Sequence, residues 1–349
     1  TFCLARGNLA FLSQHIGDLK NLETLSFFKE AIERYKALFR IHPEVIAYDL
    51  HPDYLSTRFA HELSEAKGGP LSIPIQHHHA HIASCMAENR IDERVIGVAM
   101  DGVGYGEDGR VWGCEFMVAD YLGFERAGSL RYTPMPGGDK ATEEPFRMAI
   151  SYLYSLYGED IPPHFLKRWG EEKVLVILRM IKEEINSPLT SSAGRLFDAV
   201  SSLIGLRDVV DYEAQAAVEL EMIADSTERE RYGFDIIVED GLFIIDPLHI
   251  ILGIIKDMEV RKDLSTISSK FHNTVLAFII ELCKRIREAK GIEKVVLSGG
   301  VFQNRYLLER IVPVLGEEGF LPLIHSSIPP NDGGISLGQV VIANKRVGG

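Results

Sequence analysis

Four histidines, His77, His78, His79 and His81, fall within five residues and make up a third of the twelve in the chain. They follow Pro74 and lead into an Ala-rich apolar run, so they are expected to open a helix. His77 and His81 are four apart and share one helical face, the spacing at which two imidazoles can grip one metal ion. Plain packing also produces such pairs, but suitably placed carboxylates elsewhere favour a site. Asp101 follows the apolar run 95–100 and enters the string GVGYG, where a carboxylate faces a cleft or serves a turn. Asp332 lies in PPNDGG ahead of an apolar helix, as a ligand or as a helix cap. Two imidazoles and two carboxylates form an N/O donor set that suits Fe or Zn.

A second group of residues could bind a nucleotide. Residues 295–300 (VVLSGG) read as a buried strand running into a Gly-Gly turn, with Asn304 opening the next helix. Ser298, Gly299, Gly300 and Asn304 are therefore expected to approach phosphate or ribose. In residues 190–198 (TSSAGRLFD), Gly194 precedes a helix whose first turn carries Asp198, within reach of a ribose hydroxyl; an ordinary capped helix explains the same string. Gly102 and Gly104, with the glycines at 106 and 109, form a third loop, of which a hairpin turn accounts for only part.

Elements that could position these residues occur in two blocks. The first has short strands at 1–5 and 10–13, a helix over 22–39 and a strand at 45–48. The second has strands at 95–101, 111–119 and 124–130, followed by helices over 145–157, 163–185, 195–204 and 213–230. A strand pair at 234–238 and 242–245 comes next, then a helix over 266–289, a strand at 295–297, and helices over 305–317 and 334–344. Antiparallel strands followed by alternating helices and strands, twice over, imply an α/β fold of duplicated halves around a nucleotide cleft, the actin, sugar-kinase and Hsp70 (ASKHA) plan. The expected division is 1–92, completed by the terminal segment 331–349, and 93–330 with a helical insertion at about 145–232.

With 37 basic and 50 acidic side chains the formal charge is −13, which disfavours nucleic acid as a partner. Four scattered cysteines include no CxxC pair, excluding a disulfide framework and a cysteine zinc site and suiting a cytoplasmic setting. The apolar stretch 242–258 is broken by Asp246, Pro247, His249 and Lys256, so no membrane span is expected. Thr1 already begins a strand, and the sequence is expected to be a segment of a longer chain.

The strings at 13–19 (SQHIGDL), 49–54 (DLHPDY), 76–81 (QHHHAH), 194–200 (GRLFDAV), 297–304 and 329–338, in this order across nearly the whole sequence, resemble the C-terminal carbamoyl-transfer domain of the HypF family. That domain is similar to the TsaD transferases and to antibiotic O-carbamoyltransferases. The resemblance implies that a YrdC-like domain upstream makes carbamoyl-adenylate from ATP. The present domain would then pass the carbamoyl group to the C-terminal cysteine thiol of HypE, toward the cyanide ligands of nickel–iron hydrogenases. It further implies His77, His81, Asp101 and Asp332 as metal ligands, and the Ser-Gly-Gly string with Asp198 as adenylate contacts. The sequence has no acylphosphatase-like, paired CxxC or YrdC-like segment. His15, an imidazole of the kind that serves proton transfer, is a candidate to contact the carbamoyl group or accept the thiol proton. A TsaD-like tRNA-modifying transferase, an ATPase or kinase of the same fold, and a non-catalytic scaffold are the competing classes.

Overall fold

The computed structural model describes residues 1–19 and 21–348, so the last residue of the expected segment 331–349 lies outside the described residues. Strands β1 (Cys3–Arg6) and β2 (Leu9–Leu12) pair as an antiparallel hairpin. Helix α1 (Leu22–Phe39) begins at Asn21, whose side chain accepts the Thr24 N–H, and ends at a left-handed Arg40. Strands β3 (Val45–Asp49) and β4 (Leu71–Ile75) flank α2 (Leu55–Glu65) and pair in parallel, with Asp49 opposite Ile75. That register sets Asp49 beside the start of α3 (His77–Glu88), the histidine helix. Among the described residues the strands of this block form two separate two-stranded sheets.

The second block supplies a sheet of nine strands among the described residues. Strands β5 (Val95–Tyr105), β6 (Val111–Ala119) and β7 (Phe124–Leu130) are antiparallel neighbours. After β8 (Thr133–Pro134) come the helices α4 (Lys140–Glu143), α5 (Phe146–Tyr157), α6 (Pro163–Trp169) and α7 (Glu171–Lys182). The expected helix over 163–185 is thus two, because Gly170 sits at φ 89° and breaks it. The short β9 (Leu189–Thr190) leads into α8 (Ala193–Leu203) and α9 (Gln215–Met222). The helix expected over 213–230 stops at Met222: beyond it, Asn273 of a later helix takes the carbonyls of Glu228 and Glu230, which a helix would have used internally.

Strands β10 (Asp235–Glu239) and β11 (Leu242–Asp246), helices α10 (Leu248–Glu259) and α11 (Leu264–Lys290), β12 (Lys294–Ser298), α12 (Arg305–Glu317), β13 (Leu321–Leu323) and α13 (Ile335–Arg346) complete the chain. The strand order is β10-β11-β7-β6-β5-β12-β13, with β12 parallel to both β5 and β13. Three antiparallel strands extended by two parallel ones give the α/β arrangement of the ASKHA superfold, as the sequence implies.

Alternation along β5 decides which residues can meet. Ile96, Val98 and Met100 face the large core built with α5, α8 and α11, and Val95 and Ala99 face the other side, where Ile82, Cys85 and Met86 of α3 cover them. Gly97 leaves room there for Ile82, since a Cβ would lie 2.6 Å from the Ile82 side chain. Each buried aliphatic side chain contributes about 1.5–3 kcal/mol, so α3 is held firmly on this face. Asp101 is next in the alternation and falls on the α3 side. On its outer flank α3 meets α13, which also lies against β1 and β3. No helix among the described residues is long and apolar enough to cross a membrane.

The α3–α13 contact tolerates no side chain at Gly338, where a Cβ would lie 1.8 Å from the Ala80 carbonyl oxygen. Gly338→Val is expected to cost about 3 kcal/mol, read as a lower urea midpoint at unchanged m-value.

Candidate metal centre and nucleotide-type loops

Gln76 opens α3 by accepting the His79 N–H at 2.8 Å, and its amide donates to the Tyr105 carbonyl at 3.1 Å. This cap fixes the rotation of the helix, and with it the directions of four imidazoles. His77 and His81 point at Asp101: the Nε2 to Oδ2 distances are 3.4 Å and 2.9 Å. Asp332 closes the group, with Oδ1 at 3.4 Å from His77 Nε2 and 3.3 Å from His81 Nε2. One ligand-type atom from each of these four side chains lies within 4.8 Å of all the others. Three of the four are buried, while the Asp332 side chain is 63% exposed, so the cluster opens to solvent on that side.

His78 and His79 do not join the cluster. His79 Nε2 lies 2.6 Å from the Asp120 carbonyl, and His78 Nδ1 lies 3.2 Å from Gln76. Burial holds the pKa of both below the ordinary histidine value, His79 at about 4. They are packing histidines.

The cluster is electrostatically demanding. Burial opposes a charge on His77, yet the carboxylates of Asp332, Asp49 and Asp101 together raise its pKa well above normal. His81 is also raised, burial being outweighed by its bonds to Asp101 and Asp332. Asp101, whose burial alone would push its carboxyl upward, is held far below the usual range by His77 and His81. Three carboxylates beside two neutral imidazoles leave the pocket strongly negative. Two protons, or one dication, supply the same compensating charge, so the donor set fits a bound Fe or Zn ion. Asp49 supports the fit: its Oδ2 is 2.8 Å from His77 Nδ1, fixing the tautomer that leaves Nε2 free to ligate. Asp49 was legible only as part of a resembling string, since nothing in its local sequence signals a partner twenty-eight residues away.

Asp101 lies in a bulge of β5, not at its end: the β5–β6 ladder shifts between Met100 and Gly104, and the strand runs on to Tyr105. The bulge frees the Asp101 carboxylate from the pleat. Its second oxygen, Oδ1, accepts the N–H of Gly102 at 2.8 Å and that of Gly300 at 3.3 Å. One carboxylate thus joins the imidazoles to the Ser-Gly-Gly loop. Gly299 in that loop sits at φ 103°, with its ideal Cβ position 2.2 Å from the Met100 carbonyl oxygen, so only glycine fits.

The other expected nucleotide residues divide. Ser192 caps α8 and donates to the Asp101 and Gly102 carbonyls, which brings Gly194 against Gly102 in the cleft wall. Gly104 has a different reason to be glycine, because a Cβ would lie 2.4 Å from the His78 ring. The remaining glycines, Gly106 and Gly109, make the β5–β6 hairpin turn. Asp198 is buried and ion-paired with Arg195 at 2.7 Å. The Asn304 side chain accepts the Leu307 N–H as the cap of α12 and donates to His272, so it too is engaged internally. Ser298 turns its hydroxyl to His325 at 2.9 Å. His15 is exposed on the loop after β2 and is not among the side chains gathered at the cluster.

Comparison with known proteins agrees with this geometry. Residues 1–88 match the HypF Kae1-like domain family, and residues 97–339 match the family described as carbamoyltransferase, Kae1-like domain, second subdomain. Carbamoyltransferase HypF2 of Cupriavidus necator is 37% identical over 369 residues, covering 99% of this chain and 45% of that protein. A carbamoyltransferase HypF homolog from the same organism is 32% identical, with 99% of this chain and 89% of that protein covered. The crystal structure of full-length HypF in its phosphate- and nucleotide-bound form superposes with a TM-score of 0.95 at 47% identity, over 99% of this chain and 54% of that one. The T. kodakarensis HypF structure gives a TM-score of 0.87 at 30% identity, over 97% and 45%. The chain therefore spans about half the length of most of these relatives, which are larger proteins, and over that span it belongs to the HypF carbamoyltransferase family, matching its Kae1-like domain.

Proposed function

We propose that this chain transfers the carbamoyl group of carbamoyl-adenylate to the C-terminal cysteine thiol of HypE, toward the cyanide ligands of nickel–iron hydrogenase. The observation that carries the reading is Asp101, which shares one carboxylate between the His77–His81 pair and the Gly300 amide. A cation held by His77, His81, Asp101 and Asp332 would supply Lewis-acid polarisation of the carbamoyl oxygen. The chain's own part is positional. The Gly299–Gly300 backbone, joined to Gly102 through the Asp101 oxygen both amides share, would let a nucleotide approach closely because glycine carries no side chain. The relative whose structure holds phosphate and nucleotide supports nucleotide binding in this family.

In the transfer, the acceptor sulfur bonds to the carbamoyl carbon, the bond from that carbon to the phosphate oxygen breaks, and AMP leaves. The thiol proton must go to a base, for which His15 is the candidate because it is exposed and can meet an incoming partner. None of the chain's cysteines is needed: burial raises the thiol pKa of all four, Cys3 and Cys85 to about 12, so they are poor nucleophiles. The adenylate would come from a YrdC-like domain elsewhere in the longer protein. We also read the fold as two halves, 1–92 with the terminal helix and 93–330, with the cluster at their junction.

Two measurements test this. Metal analysis should find about one Fe or Zn per chain, lost in His77→Ala/His81→Ala. With supplied carbamoyl-adenylate and HypE, that variant should transfer about two orders of magnitude more slowly or worse. Full transfer by a metal-free chain would overturn the reading. His15→Ala is expected to slow the same reaction about 100-fold while leaving metal content unchanged; an unchanged rate removes His15 from the mechanism.

A further inference from the structure

The histidine helix carries a second set of polar side chains on the face that bears the ligands. His77, His81, Ser84 and Glu88 follow one another at intervals of four, three and four, which keeps all of them on one stripe of α3. The first two reach Asp101 and Asp332. The last two reach backbone on either side of Asp332.

Glu88, in the final turn of α3, gathers the chain that leaves β13. Its Oε1 accepts the N–H of Ser326 at 3.0 Å, the Ser326 hydroxyl at 2.8 Å, the Ser327 N–H, and the Ile328 N–H at 3.3 Å. Its Oε2 lies 3.0 Å from His325 Nδ1. A carboxylate accepts, so His325 donates from Nδ1 and its Nε2 takes the Ser298 hydroxyl proton at 2.9 Å. Burial would raise the Glu88 carboxyl, but the donors from Ser327, Ser326 and His325 hold it down at about 2, so it is ionised at neutral pH. Ser84 takes hold on the far side of Asp332 by donating to the Gly334 carbonyl at 2.8 Å. Between these anchors run only Pro329, Pro330, Asn331, Asp332 and Gly333. The prolines stiffen this short span, and the Pro330 carbonyl accepts the Gly299 N–H at 2.9 Å.

We propose that Glu88 is a positioning residue for the cation site: it fixes the Asp332 loop to the helix that carries His77 and His81, with Ser84 as its second anchor and His325 extending the tie to the Ser-Gly-Gly loop. The proposal rests on the reading of His77, His81, Asp101 and Asp332 as a cation site. An exposed loop carboxylate such as Asp332 would otherwise lose freedom on binding an ion, and anchoring the loop beforehand removes that cost. Outer partners of this kind act on affinity without touching the ion.

The test is a double-mutant cycle on Zn2+ affinity, measured by competition with a chromophoric chelator, in the chain stripped of metal. Glu88→Gln is nearly isosteric but cannot satisfy the same array of donors, and is expected to weaken Zn2+ binding about tenfold or more. In an Asp332→Ala background the same change should have no further effect, because Glu88 acts through Asp332. Equal losses in both backgrounds would mean general destabilisation, and unchanged affinity in Glu88→Gln would mean no positioning role; either overturns the proposal. His81→Ala runs in parallel: retained Zn2+ binding there would instead sink the cation-site reading itself. If Glu88→Gln does not fold, Ser84→Ala, which deletes the single bond to Gly334, goes through the same cycle under the same criteria.

Discussion

An ionised carboxylate removed from water costs several kcal/mol unless charge and hydrogen bonds replace the lost solvation. Asp49 and Asp101 are both buried, and both lie against His77. Much of the local architecture reads as a response to that cost. Asp49 is held at the end of β3 by its pairing with β4, and its Oδ1 accepts the His51 N–H at 2.9 Å. Asp101 has a bulge that lets one oxygen accept backbone N–H groups while the other faces the imidazoles. The remaining negative potential opens toward solvent at Asp332, the exposed member of the cluster.

The same constraint explains why α3 must be rigid. Its apolar face is pressed on Val95, Ala99, Met117 and Val296, and its back is pressed on α13 through a glycine that admits no side chain. A helix free to roll by a few degrees would separate the imidazoles from Asp101, leaving a buried carboxylate without a partner. Core packing here therefore sets the precision of the polar cluster as well as the stability of the fold.

Much of the site was legible because its signals are local in sequence. Residues His77 and His81 announce themselves by spacing, and Asp101 and Asp332 by the glycines and prolines around them. The strands at 111–119 and 124–130 and the helices at 22–39 and 305–317 have the expected bounds, since their apolar periods are unbroken. What was not legible depends on distant partners. Asn304 bonds to His272, thirty-two residues away, which its own string does not signal, whereas the Asp198 partner Arg195 is only three residues off. Nothing beside Glu88 in the sequence hints that it accepts hydrogen bonds from a loop some 240 residues later. Helix α2, in a segment of mixed polarity, and the short strands β4 and β13 also escaped notice, while α10 lies in the apolar stretch 242–258, whose composition signals burial without fixing the element type.

These cases have a common physical cause. Side chains that carry a hydrogen-bonding group can spend it on a ligand or on the fold, and local sequence records only the capacity. Asn304 and Asp198 both make internal bonds in this structure. Ser298 does so too, but its partner His325 belongs to the tie that runs from Glu88, so its internal bond still bears on the loop that faces the cleft. The distinction between a structural and a functional polar group is therefore weaker in this protein than the residue types suggest. Through Asp101 on one side and His325 on the other, the Ser-Gly-Gly loop is bonded at both ends to groups tied to the His77–His81–Asp101–Asp332 cluster. A shift of the loop would be felt at the cluster, and the two half-sites are best treated as one rigid unit.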